Sequence, residues 1–194
     1  MNERVRRALI IAAALGLWFA SQAWLAGRGF PPGGIGDGVH QALAGVNAHL
    51  NAHTRQANAL LIASSAVIDC FGLFLLASAL FGRSLAPFWG LMGLFGSRQL
   101  CQALSALPPP AGMVWRRPGV PSLLVTYGTS NDMFFSGHTA IAVYGACRLS
   151  TLGKPWLTAL AACLAVFEAV TVLALRAHYT MDVFTGALAA LLGR

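Results

Sequence analysis

ANALLIASSAVIDCFGLFLLASALFG, residues 57–82, runs from just after Arg55 to just before Arg83 with a single charge, Asp69, inside it. An apolar run of this length exceeds the ~20 residues a helix needs to cross a hydrocarbon core. In lipid the backbone must satisfy its own hydrogen bonds, which a helix does within one segment. Applying the same rule outward, apolar runs between charged or Pro/Gly breaks predict six membrane helices, at about 8–27, 57–82, 85–106, 134–151, 155–176 and 179–193. The last stops at Arg194 after roughly 15 residues, short of the usual ~20, and is expected either to end in the interface or to have lost a tail. Composition agrees, since 57% of residues are hydrophobic and only 10% charged. The expectation is an all-α polytopic bundle with no internal repeat, one domain over 1–194.

Charge excludes one class of function and orients the chain. Lys and Arg number 13 against 6 Asp and Glu, a net charge of +7, but the basic residues are scattered at the ends of apolar runs and form no stripe for nucleic acid. With the N-terminus inside, inner segments carry Arg4, Arg6, Arg7, Arg83, Arg148, Lys154 and Arg194. Outer segments carry Arg28, Arg55, Arg116 and Arg117. That bias predicts a cytoplasmic N-terminus, in a setting such as a bacterial inner membrane. Residues 8–26 are read as an uncleaved first helix, although Ser21-Gln22-Ala23 resembles a cleavage site. Cys70, Cys101, Cys147 and Cys163 lack the spacing of a zinc or redox motif and are expected to be small buried hydrophobes.

Two outer connections are long. The first, about 28–56, opens with Gly29-Phe30-Pro31-Pro32-Gly33-Gly34 and continues through Leu43, Val46 and Leu50 at helical spacing, which predicts a short amphipathic helix on the outer leaflet. The second, about 107–133, carries Pro108-Pro109-Pro110 and Arg116-Arg117-Pro118. Trp24, Trp89, Trp115 and Trp156 near helix ends read as interface anchors.

Chemistry concentrates in two polar islands, Ser136-Gly137-His138-Thr139 and His178-Tyr179-Thr180-Met181-Asp182. In the six-helix topology both begin helices at the outer face. Ionisable groups are expensive at membrane depth, and function is the usual reason for them. The first island sits where a loop becomes a helix, so its N–H groups and the helix dipole suit a phosphate. Asn131 and Asp132 are candidate caps there. His178 and Asp182 are spaced to share a helix face, letting the carboxylate hold the ring while His178 acts as nucleophile. His138 is then available as proton donor.

These two segments resemble the core of the type 2 phosphatidic acid phosphatase superfamily, and more narrowly its sphingomyelin synthase branch. The branch has an Asp shortly before Ser-Gly-His-Thr, matched by Asp132, and a His-Tyr-Thr-x-Asp-Val segment, matched by His178 to Val183. It also has an Arg followed nine residues later by Leu-Pro-x-Pro, matched by Arg98 and Leu107-Pro108-Pro109-Pro110. The resemblance covers about 98–185. It implies a six-helix fold with His138, His178 and Asp182 as catalytic triad on the outer side. It also implies transfer of a phosphorylated headgroup from a phospholipid to a lipid alcohol through a phosphohistidine. The wider family's Lys-x6-Arg-Pro motif is incomplete, with Pro110 in the place of the Lys although Arg117-Pro118 is present. Its Arg six residues before the second His is replaced by Val172. Ser136, Gly137, Thr139, Asp132, Arg98, Arg176 and Tyr179 are the candidate substrate contacts.

Other charged groups have competing readings. Arg98 lies deep in the third predicted helix, ~13 Å from its outer end, and would contact a lipid phosphate or pair with Asp69 or Glu168. Arg176, beside His178, would neutralise phosphate or extend to the interface. His40, His49 and His53 invite a metal reading, but Leu50 stands where a metalloprotease motif has its Glu, and the expectation is no metal and no other cofactor. The expected partners are membrane lipids as substrates, and self-association is left open. Water in place of the lipid alcohol would make the protein a lipid phosphatase or phospholipase C-like hydrolase. A rival of another class is a small transporter using Asp69, Arg98 and Glu168.

Overall fold

In the computed structural model, which describes residues 2–27, 35–127 and 133–194, the chain forms eight helices and no strand among those residues. They are α1 (Glu3–Ala26), α2 (Gly38–Ala42), α3 (Ala44–Ala52), α4 (Thr54–Phe81), α5 (Ala86–Leu104), α6 (Gly137–Ser150), α7 (Pro155–Ala174) and α8 (Thr180–Leu192). Each of the six predicted apolar runs became a helix.

Among the described residues three helices are long and apolar enough to cross a membrane: Glu3–Trp24, Thr54–Phe81 and Pro155–Ala174. α5 has 19 residues but is diluted by Ser97, Arg98, Gln99 and Gln102. α6 and α8 have 14 and 13 residues, only about 20 Å at 1.5 Å per residue against a core of ~30 Å. Both start late because their first polar residues serve as loop and cap. Ser136 caps α6, and Asp182 accepts the Tyr179 N–H at 2.9 Å at the start of α8.

α6 is the centre of the bundle and packs against α4, α7 and α8, while α1 lies against α4 and α5. Ile68, Phe71, Leu75, Leu91, Phe95, Ile141 and Tyr144 form the main core. At Gly186 of α8, a Cβ would come within 2.6 Å of the Ser136 carbonyl oxygen, so the absence of a side chain lets the two histidine-island helices meet.

The first long connection differs from the single surface helix expected. It is split into α2 and α3, and the inward face of α3 is Asn47 and Leu50, with Val46 exposed. The reason is polar: the Asn47 amide donates to Gly112 O at 3.1 Å and to Ala174 O at 3.0 Å, tying α3 to the end of α7. Trp24, Trp89 and Trp156 are exposed as anchors should be, but Trp115 turns inward and donates from Nε1 to Thr126 O at 3.2 Å. None of the four cysteines is fully buried, contrary to expectation, and all four thiols are free.

Candidate active site

α7 ends in a tight reversal that aims His178. The Ala177 N–H returns to Val172 O at 2.8 Å and the Arg176 N–H to Leu173 O at 3.0 Å, the two crossed bonds of a Schellman motif. That motif needs a left-handed residue, and Arg176 supplies it at φ +52°. The Arg176 guanidinium stabilises the turn by donating to Ala111 O at 2.6 Å and His40 O at 3.0 Å. His178 therefore lies in the short link between α7 and α8, ahead of the helix that carries Asp182.

This corrects the shared-helix-face expectation. The Asp182 carboxylate spends one oxygen on the Tyr179 N–H, and that oxygen is 3.7 Å from His178 Nδ1. The ring is held instead by the Met133 carbonyl, 2.8 Å from Nδ1. A carbonyl oxygen only accepts, so Nδ1 carries the proton and Nε2 presents its lone pair. Asp182 is thus a helix cap and a nearby negative charge, with Met133 O as the orienter. Sequence reasoning missed Met133 because a backbone acceptor has no side-chain signature.

The two islands are joined directly. The Ser136 N–H donates to Asp182 O at 3.0 Å, and Ser136 Oγ accepts the Thr139 N–H at 3.3 Å and hydroxyl at 3.1 Å. Ser136 caps α6. The Asn131 and Asp132 expectations lie outside the described residues. His138, on the first turn of α6, meets the edge of the Trp115 ring at 5.2 Å.

A cleft of about 40 Å³ gathers Arg98, Gly137, His138 and His178, with Trp18, Gln22 and Trp115 among its walls. His138, His178 and Arg98 are 8%, 4% and 4% exposed. Arg98 Nε donates to Phe135 O at 2.6 Å, just before α6 begins, and the guanidinium packs on Gly137. The predicted pairings of Arg98 with Asp69 or Glu168 are not formed. Asp69 accepts the N–H groups of Leu123 and Leu124 at 2.8 and 2.9 Å, and Glu168 accepts the Ser64 hydroxyl at 2.7 Å. These bonds give each carboxylate a protein partner, although Glu168 Oε1 has none among the described residues.

Not every expected contact reaches the cleft. Arg176 and Tyr179 line a separate cavity of about 200 Å³ with Asp37 and His40. Tyr179 donates from its hydroxyl to Pro108 O at 3.0 Å and stacks on His40, which gives the Leu-Pro-x-Pro segment a structural role. His40 Nε2 donates to His178 O at 2.9 Å, supporting the α7–α8 link from behind. Asp37 accepts the Thr180 N–H at 2.6 Å and hydroxyl at 2.7 Å while capping α2. Burial opposes the charged form of Asp37, but the bonds from Thr180 and His40 outweigh it and hold its carboxyl below the ordinary range. His49 and His53 stack at 4.0 Å, with His49 on Gln56 and His53 on the His49 carbonyl. Among the described residues no three His, Cys, Asp or Glu side chains converge as metal ligands.

Residues 129–192 match the family model described as PAP2 superfamily C-terminal. The matched stretch contains both histidine islands, and it supports kinship with the type 2 phosphatidic acid phosphatase superfamily over about the last third of the chain. A phosphatase- or phosphotransferase-type activity on lipids is what that family suggests. No curated protein and no solved structure matches the chain.

Proposed function

We propose that the protein is a membrane lipid phosphotransferase that moves a phosphorylated headgroup from a phospholipid to a lipid alcohol, as the sphingomyelin synthase branch does. The observation that carries this reading is the cleft itself. It holds His138, His178 and Arg98 together, with His178 Nδ1 committed to Met133 O so that Nε2 is the nucleophilic nitrogen.

In the proposed reaction His178 Nε2 attacks phosphorus, forming a P–N bond as the P–O bond to the diacylglycerol oxygen breaks. His138 gives its proton to that oxygen. The acceptor hydroxyl then attacks phosphorus, His138 takes back a proton, and the P–N bond breaks. Asp182, 3.7 Å from Nδ1, stabilises the positive ring of the intermediate. Arg98 and the N-terminus of α6 receive the phosphoryl oxygens, Ser136 and Thr139 shape that terminus, and Asp132 contacts substrate. The chain crosses the membrane six times in this proposal, with a cytoplasmic N-terminus and the cleft facing the outer side of a bacterial inner membrane.

Hydrolysis is the second reading, favoured by the cleft's 40 Å³, which is room for water. Mass spectrometry of membrane lipids from a host that lacks the chain, before and after its expression, separates the outcomes. A new phospholipid means transfer, diacylglycerol without one means hydrolysis, and an unchanged lipidome sinks both. Acid-labile, base-stable phosphate labelling should appear on the protein and vanish in His178→Ala. Turnover should be lost in folded His178→Ala and His138→Ala; full turnover in both would overturn the mechanism.

A further inference from the structure

Helix α1 brings two buried polar side chains to the cleft, Trp18 and Gln22, one turn apart and 6% and 4% exposed. The Trp18 ring packs on Phe95 at 4.8 Å, yet its Nε1–H makes no hydrogen bond among the described residues. A buried donor without an acceptor is costly unless a ligand oxygen completes it. The Gln22 amide donates to Thr126 Oγ1 through a long 3.4 Å bond and accepts from Gln99 Nε2 at 2.8 Å.

Gln22, Val125 and Thr126 also form a wall of a second space, a groove of about 630 Å³ between the end of α1 and the 117–127 segment. The cleft alone is far too small for a phospholipid. The groove mixes apolar Phe19 and Val120 with Arg117 and Ser122, a lining suited to acyl chains that meet polar esters. α1 packs on α4 and α5, at the side of the cleft that the groove opens.

We propose that this edge of α1 is a phospholipid subsite, an inference that rests on the lipid-phosphoester reading of the cleft. The groove holds the glycerol-ester region of the donor lipid, the Gln22–Thr126 contact opens to admit its phosphate to His178, and the Trp18 indole donates to a substrate oxygen beside the reacting phosphorus. Trp18 and Gln22 are positioning residues.

The test uses the full chain in mixed micelles and two substrates: the phospholipid that the wild type consumes, and methyl p-nitrophenyl phosphate, a soluble diester without acyl chains. Ala23→Trp and Val120→Trp fill the groove from opposite walls, so one folded variant suffices. Each is expected to lower the ratio of kcat/KM for the lipid to kcat/KM for the soluble diester at least roughly tenfold. Trp18→Phe keeps the ring and removes the donor, and should lower kcat/KM roughly tenfold on both substrates, about one hydrogen bond's worth. An unchanged ratio in the folded groove variants, or wild-type rates in Trp18→Phe, overturns the subsite while the reading of the cleft stands. A wild type that turns over neither substrate sinks that reading and takes the subsite with it.

Discussion

Replacing Asp182 by Asn separates the two jobs the structure gives that side chain. The amide oxygen of Asn accepts the Tyr179 N–H as the carboxylate does at 2.9 Å, so the start of α8 stays capped and the fold is retained. The tautomer of His178 is retained as well, because Nδ1 donates to Met133 O at 2.8 Å and needs no carboxylate to fix it. What disappears is one negative charge 3.7 Å from a ring that, in the proposed mechanism, becomes positive when Nε2 is phosphorylated. At an effective dielectric of about 20 that charge is worth about 4 kcal/mol. At about 1.4 kcal/mol per decade, the chemical step should slow roughly 10³-fold. The assay is single-turnover release of diacylglycerol from a labelled phospholipid in micelles, with thermal unfolding followed in parallel. A rate within tenfold of wild type would show that Asp182 is only a cap. Loss of the folded state would refute the claim that Met133 and an amide suffice to hold the link.

Gly186→Ala should destabilise the protein by about 1–3 kcal/mol, because the new Cβ would stand 2.6 Å from the rigid Ser136 carbonyl; a melting temperature equal to wild type would contradict the close approach of α6 and α8. Asp37→Asn should lower thermal stability at neutral pH, and the gap should close in acid. The folded pKa of Asp37 lies below its ordinary 3.8, so its contribution is full above about pH 4 and is lost as pH falls through the folded value. A gap that persists or widens in acid would reverse that sign. Arg98→Ala should cut lipid turnover far more than Arg176→Ala, whereas Arg176→Ala should act mainly on stability, seen by comparing rates and melting curves for the pair. A phosphodiester lipid should be consumed faster than the matching phosphomonoester, as measured with phosphatidylcholine and phosphatidic acid of the same acyl chains.

The helices were legible in the sequence where chemistry brackets them. Thr54–Phe81 lies between His53 and Gly82, and Pro155 opens α7, so the predicted spans 57–82 and 155–176 came close. α1 began five residues earlier than predicted, at Glu3, whose carboxylate pairs with Arg6 and Arg7 one turn on. The histidine islands were legible as a site, because polar residues in an apolar chain stand out. Their internal geometry was less so: His178 precedes α8 and shares no helical face with Asp182, because Tyr179-Thr180-Met181-Asp182 places an acid three residues past the cap, a capping-box spacing. The Met133 carbonyl, the Arg176 clamp on two carbonyls and the cleft-facing Trp18 and Gln22 depend on contacts between distant backbone segments. No periodicity encodes these.

The missing phosphate clamp bears on the choice of substrate. A monoester reaches the site carrying nearly two negative charges and a diester carries one, so each cation removed from a site costs the monoester about twice as much Coulomb stabilisation. Pro110 and Val172 remove two of the wider family's cations. Arg117 lies in the outer groove and Arg176 is spent on carbonyls, so neither refills the place. Among the described residues that line the cleft, Arg98 is the one guanidinium, and it supplies at most one unit of charge. The N-terminus of α6 adds about half a unit. With the proton that His138 carries in the proposed mechanism these come to about two and a half units, and the two cations absent relative to the wider family still weigh more on a dianionic monoester than on a monoanionic phosphodiester, without reference to the acceptor. In the proposed reaction the missing clamp therefore favours headgroup lipids as donors, and the access of water decides between hydrolysis and transfer.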